Sequence, residues 1–214
     1  MRRGWVVFLA LVLAGLVSCS NKVKKDHWEN GNLKSELRYE GDELNGLCVW
    51  YFPNGKPQME VNYSHNKMDG RLRRWYENGN LMEECWYKAG VQDSVSLNYS
   101  LNGILLGKAY YKDGKLNGDY RRWYENGQVF QEGQYVEDLM DGSWMVFYSD
   151  GNLAATALFD KGTGTQTSYE HSGYKCLVTN YVDNEKHGRE VYYNPDGRVT
   201  RVACYDAGEW IGDE

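Results

Sequence analysis

From His27 onward the chain alternates apolar and polar positions in short runs of about five to eight residues, each closed by a glycine-containing turn signal. Period-two alternation in runs of this length marks β-strands with one face turned toward apolar neighbours. The turn pairs Asn30-Gly31, Asn54-Gly55, Asn78-Gly79, Asn102-Gly103, Asn126-Gly127 and Asp150-Gly151 each stand 24 residues after the last. A fixed period of that size makes the chain an array of one repeated supersecondary unit, each unit contacting only its neighbours.

A second glycine series runs nine residues ahead of the first, at Gly46, Gly70, Gly118, Gly142, Gly164 and Gly188, with Ser94 in the third place. The step shortens by two residues only between Gly151 and Gly173. Aromatic residues keep the same register. Tyr51, Trp75, Tyr99, Trp123, Phe147, Tyr169 and Tyr193 stand five residues after the leading position, and Tyr63, Tyr87, Tyr111, Tyr135, Phe159, Tyr181 and Tyr205 stand eight after the turn glycine.

Each unit reads as a β-hairpin. Asn-Gly favours the two-residue type I′ turn, which needs positive φ at both central residues. A second turn, such as Asp113-Gly114, joins one unit to the next. The fold class is therefore all-β: an elongated, twisted, single-layer antiparallel sheet. Roughly fifteen strands at about 4.8 Å each give a sheet on the order of 70 Å long before twist shortens it.

A two-residue loop at Asn126-Gly127 pairs Glu125 with Gln128, Tyr124 with Val129 and Trp123 with Phe130. One face then collects Tyr120, Arg122, Tyr124, Val129, Gln131 and Tyr135, with Leu72, Cys85, Trp144, Ala155 and Phe159 from neighbouring units, and is mostly apolar. The opposite face collects Arg73, Trp75, Glu84 and Trp86 from one unit and Arg121, Trp123, Phe130 and Glu132 from another, an aromatic ridge between charged pairs. Arg121 faces Glu132 and Arg73 faces Glu84 as cross-strand ion pairs of about 0.2–1 kcal/mol each. The ridge has two readings. Stacked aromatics stabilise a sheet that no helix covers, and contiguous Trp and Tyr beside Arg also mark protein-binding surfaces. These eight residues are the partner-binding candidates.

The amino-terminal segment 1–18 departs from the period. Arg2 and Arg3 precede an apolar stretch from Trp5 to Leu16, too short to span a bilayer and in place for an export signal. It closes in Leu16-Val17-Ser18-Cys19, which resembles a bacterial lipobox. That resemblance implies cleavage before Cys19 and lipid attachment on its thiol; a plain secretory signal is the alternative. The domain reading is then 1–18 signal peptide, 19–26 polar tether with Lys22, Lys24 and Lys25, and 27–214 repeat array of about seven hairpin units plus partial terminal ones. The location that follows is the bacterial cell envelope, lipid-anchored at the outer membrane or on the periplasmic or surface side.

The whole chain carries 24 basic and 30 acidic residues. Loss of Arg2 and Arg3 leaves a net charge of minus 8, which argues against nucleic acid, a ligand that demands clustered cations. Catalytic chemistry does not assemble from this register. His27, His65, His171 and His187 fall at turns or strand ends of different units, with neither metal-ligand spacing nor a nucleophile and base at hand, so no metal, cofactor or enzymatic activity is expected. Cys48 and Cys85 lie three strands apart, about 14 Å, and Cys176 and Cys204 two strands apart and offset. Neither pair meets the roughly 4.4–6.8 Å Cα separation of a bridge, so no disulfide is expected and four free, half-buried thiols are.

The unit G-x-x-x-x-W-Y-E-N-G-x-L-x-x-E-x-x-Y-x-x-G, seen from Gly70 to Gly90 and more loosely at Gly46, Gly118, Gly142 and Gly188, resembles the MORN repeat in its bacterial variant form. The units at Ser94 and Gly164 depart from it, and hairpin geometry is in question there. The resemblance implies consecutive hairpins in one twisted sheet and a non-enzymatic scaffold that binds proteins or membranes. An antitoxin or immunity-like role, neutralising a toxin by binding it, is the alternative that the resemblance implies.

Overall fold

The structure, a computed structural model, describes residues 21–214. Every element is a strand: β1 (Asn21–His27), β2 (Leu33–Glu40), β3 (Glu43–Leu44), β4 (Gly46–Tyr51), β5 (Pro57–Ser64), β6 (Lys67–Trp75), β7 (Leu81–Lys88), β8 (Val91–Tyr99), β9 (Leu105–Lys112), β10 (Lys115–Trp123), β11 (Val129–Val136), β12 (Leu139–Phe147), β13 (Leu153–Asp160), β14 (Thr163–Tyr169), β15 (Lys175–Val182), β16 (Glu185–Tyr193), β17 (Val199–Asp206) and β18 (Glu209–Asp213). They form one open antiparallel sheet of 18 strands in which each strand pairs with the next in sequence, β3 and β4 being two pieces of one line against β2. The count exceeds fifteen because the terminal units are more complete than their sequence suggests and one line is divided into β3 and β4. In particular, Asn21–His27, expected to lie mostly in a polar tether, pairs along its whole length with β2. The expected signal peptide and Cys19 lie outside the described residues.

The Asn-Gly turns are not the type I′ turns that the sequence predicts. At Asn126-Gly127 only the glycine has positive φ, at 85°. The Gly127 N–H donates to Tyr124 O at 3.0 Å and the Tyr124 N–H to Gln128 O at 2.9 Å, a three-residue type I turn closed by a glycine bulge. Asn126 serves through its side chain instead: Oδ1 accepts from the Gln128 N–H at 3.0 Å, and Nδ2 donates to Ser149 O in the next unit's turn at 2.7 Å. Asn30, Asn54 and Asn78 make the same reach to Pro53, Glu77 and Leu101. The type I′ turns are the connections between units. Asp113-Gly114 takes φ of 51° and 84°, and His65-Asn66, Glu137-Asp138 and Asp183-Asn184 also have two consecutive positive φ.

The leading glycine series marks bulges. Asn117, Gly118 and Asp119 together stand opposite the single residue Tyr110, between the pairs Leu116↔Tyr111 and Tyr120↔Ala109. Gly118 supplies φ of 117° for that kink. Ser94 preserves the bulge at φ of 70°, its hydroxyl donating to Asp93 Oδ1 at 3.1 Å, so that unit keeps the hairpin geometry. The shortened unit is the informative exception. Register between β13 and β14 is constant from Ala155↔Ser168 to Asp160↔Thr163. The two residues missing from its sequence are the two extra residues of a bulge.

The expected apolar face holds the core. Cys48, Val61, Leu72, Cys85, Ser96, Ala109 and Tyr120 form one line of successive cross-strand partners. All but Tyr120 are buried. Small and medium-sized residues make up the buried part of the line and larger ones cover it: Trp50, Tyr63, Met68 and Tyr87 pack on the Val61, Leu72 and Cys85 cluster. Further along, Trp144 is 3 % exposed and meets Tyr135 edge to face at 5.0 Å. A single layer thus buries a core by folding its aromatic side chains over its own middle row.

Candidate functional site

The opposite face carries a second unbroken line. Lys25, Glu36, Val49, Glu60, Arg73, Glu84, Leu97, Lys108, Arg121, Glu132, Met145, Thr156, Thr167, Val178, Val191 and Val202 are successive partners across the sheet. Its first part is charged and its last six members are not. Hairpin register accounts for the continuity of the line, because residues 24 apart fall on the same face at the same level.

Most of the candidate residues come together on this face. Arg121 pairs with Glu132, and the Arg73 guanidinium stacks over the Trp75 ring at 5.2 Å from its centroid. Trp86 is half-buried and stands across from Arg71. Two expectations change. Arg73 does stand opposite Glu84 in register, but its Nη2 bonds Glu60 Oε2 on the other neighbouring strand at 2.5 Å, and Glu84 takes Arg71 at 3.3 Å. An arginine in mid-sheet has a neighbour on each side, and a hairpin register considers only one. Phe130 leaves the ridge. Its ring lies 5.1 Å from that of Tyr124 and 5.5 Å from the Arg122 guanidinium carbon, both on the apolar face. The cause is the turn: Trp123 pairs with Val129 and Arg122 with Gln131, which leaves Phe130 as an extra residue at the start of β11.

Where β9 to β12 meet, the ridge face opens into a cleft of about 580 Å³. Lys108, Tyr110, Arg121, Trp123, Glu132, Gln134 and Met145 line it, with Asp119 and Ser143 from the two flanking bulges. Gln134 Nε2 holds Asp119 at 2.8 Å. Lys108 and Tyr110 are absent from the candidates that the sequence singled out. The available signal was a break in the period, since Glu60, Glu84 and Glu132 hold the place that Lys108 takes in its own unit. A second hollow, about 480 Å³ and lined by Trp50, Met59, Tyr76 and Met82 among others, lies nearer the turns of the early units.

Cys48, Cys85, Cys176 and Cys204 are free thiols, the first two buried and the others half-buried. Burial, with Glu83 nearby, pushes the Cys85 thiol up to about 12. Neither buried cysteine is thereby a nucleophile at neutral pH. His171 contacts Asp150 at 2.8 Å and His187 contacts Asp206 at 3.3 Å, both at exposed turns or strand ends. Among the described residues no group of three or more His, Cys, Asp or Glu could hold a metal ion.

Residues 44–65, 68–89 and 116–137 each contain one bulge, one Asn-Gly type I turn and the strand arms beside it, and each ends on the first residue of a type I′ connection. These three segments match the MORN repeat variant. The intervening and later units, which that family's pattern does not match, are also hairpins, and all but the shortened unit of β13 and β14 keep the bulge, so structural repetition outlasts sequence repetition here. No curated protein matches the chain. A chain of the solved "Crystal Structure of TcdB2-TccC3-TEV" superposes on 90% of this chain at 10% identity and a TM-score of 0.24, and this chain spans 12% of that one. A superposition of that quality carries no argument about function.

Proposed function

We propose that the protein is a non-enzymatic, envelope-anchored lipoprotein whose repeat sheet is a scaffold for protein–protein interaction. The observation that carries this reading is the line from Lys25 to Val202: sixteen cross-strand partners on one face, with no second layer packed over them among the described residues. Ridge aromatics and guanidinium groups on such a face are the residue types that anchor interfaces. The MORN repeat variant matches support a repeat protein of this kind.

The anchor belongs to the same proposal. Strand β1 begins only two residues after Cys19, so a lipid there would hold the edge of the sheet against the membrane without a spacer. Lys22 and Lys24, both exposed on one face of β1, would then meet anionic head groups at about 1 kcal/mol each, whereas Lys25 on the other face pairs with Glu36 at 3.1 Å.

Photocrosslinking in cells, with a photoreactive residue in place of Trp123, tests the scaffold. One specific adduct, lost on Trp75→Ala, is the expected result. No adduct, together with silent Trp75 and Trp123 substitutions, removes the proposal. Cys19→Ala should move the protein out of the membrane fraction, and retention there would refute the anchor. Neutralisation of a toxin by binding is a second reading, and the acidic balance supports it for a basic toxin. Failure to rescue growth against the product of a neighbouring gene would eliminate it.

A further inference from the structure

We propose that the cleft between β9 and β12 receives an acidic, extended segment of the protein partner, with a carboxylate set between Lys108 and Arg121. This rests on the scaffold reading and adds to it the chemistry of the partner.

The same place in the repeat occurs in two versions. In the earlier unit Arg73 stands between two acids, Glu60 and Glu84, in the cross-strand line. In the later unit Arg121 stands between Lys108 and Glu132. Two cations directly opposite each other destabilise a sheet, and this pair occurs in a chain whose overall balance is acidic. Glu132 neutralises Arg121. The Lys108 ammonium instead sits 5.1 Å above the Tyr110 ring and makes no ion pair among the described residues.

The cleft opens at the same point. Asp119, the other acid on its wall, is turned aside to Gln134. Tyr110 and Trp123 offer ring surface and Met145 a flexible thioether, so apolar side chains flanking the carboxylate have a place to pack. The neighbouring glutamates at Glu84 and Glu132 show that the fold accepts an acid at the Lys108 position, so the lysine is not a packing requirement.

The test uses the purified full chain in detergent and two fluorescein-labelled peptides, one alternating glutamate with leucine and the other glutamine with leucine, read by fluorescence anisotropy. The glutamate peptide should bind at least about tenfold more tightly, and its affinity should fall with added salt. Lys108→Glu, which copies the neighbouring units and can pair with Arg121, should lose about tenfold or more of that affinity. Lys34→Glu changes net charge equally at a distant site and should leave it unchanged. Equal binding of the two peptides, no binding of either, or equal loss in both variants overturns the proposal. Displacement of the peptide by an equal concentration of inorganic phosphate does so too, since it would reveal an unselective anion site. The crosslinking result stands apart: a partner that still adds at Trp123 while these peptides fail would keep the scaffold and discard the acidic segment.

Discussion

Gly133→Ala isolates how a one-layer sheet buries a tryptophan. Gly133 lies on β11 with an ordinary strand φ, so backbone strain plays no part in the substitution. A Cβ there would stand 2.2 Å from Trp144 Cδ2 and 2.4 Å from Cε2, distances that force the ring to move. Trp144 is 3 % exposed and packs on Tyr120 and Tyr135 with centroids at 5.8 and 5.0 Å. Complete loss of a buried large aromatic costs about 3–5 kcal/mol, which bounds the effect from above. Because the displaced ring retains part of its contact, the expected destabilisation is about 2–4 kcal/mol. The assay is urea unfolding monitored by near-ultraviolet circular dichroism, with the substitution made both in the natural chain and in a Trp144→Ala background. In that background the added methyl meets space, and the cost should fall to within about 0.5 kcal/mol of zero or become a small gain. A cost that is the same in both backgrounds, or below about 0.5 kcal/mol in the natural chain, would refute the account of the core.

Three further outcomes follow from particular contacts. Glu190, 1 % exposed, loses solvation but accepts hydrogen bonds from Lys186 at 2.6 Å, Tyr192 at 2.8 Å and Thr179 at 3.0 Å, and the net result lowers its pKa below the ordinary value of 4.5. A lowered folded-state value means stability that is present above about pH 4.5 and lost as pH falls through the folded value. Glu190→Gln should therefore be less stable at pH 7 and show a weaker acid-induced loss in urea titrations across that range. Asn126→Ala removes both the turn acceptor and the donor to Ser149, and should cost about 1–2 kcal/mol and raise amide exchange in residues 149–151. Cys85 should resist an aromatic disulfide reagent at pH 8 that labels half-buried Cys204; comparable rates would contradict the burial that raises its pKa.

The body of each hairpin was legible in the sequence and its two ends were not. Register in mid-strand follows from period-two alternation, and Arg121 does pair with Glu132 while Leu72 and Cys85 are buried partners. At the turns, Asn-Gly supports two loop geometries. The one formed lets the asparagine side chain bond the next unit, a tertiary gain that local propensity does not contain. Phe130 changed faces as a consequence. The Arg73–Glu60 bond and the Lys108–Arg121 confrontation have the same origin, because each depends on the hairpin before the one being read. The leading glycines were visible as a series, but their role as bulges appears only when three residues are set against one.

The sequential meander also determines how the molecule yields to force. A chain held at its first strand and loaded at its last is pulled across its strands rather than along them. Tension then reaches the ladder hydrogen bonds a few at a time, at whichever edge is loaded, instead of shearing a whole strand at once. Extension should proceed as peeling, one arm after another, with the aromatic core line opening unit by unit. The asparagine side chains that reach to the neighbouring turns act as small catches between successive steps. A tether built in this way pays out length gradually under load and rewinds from the part still folded.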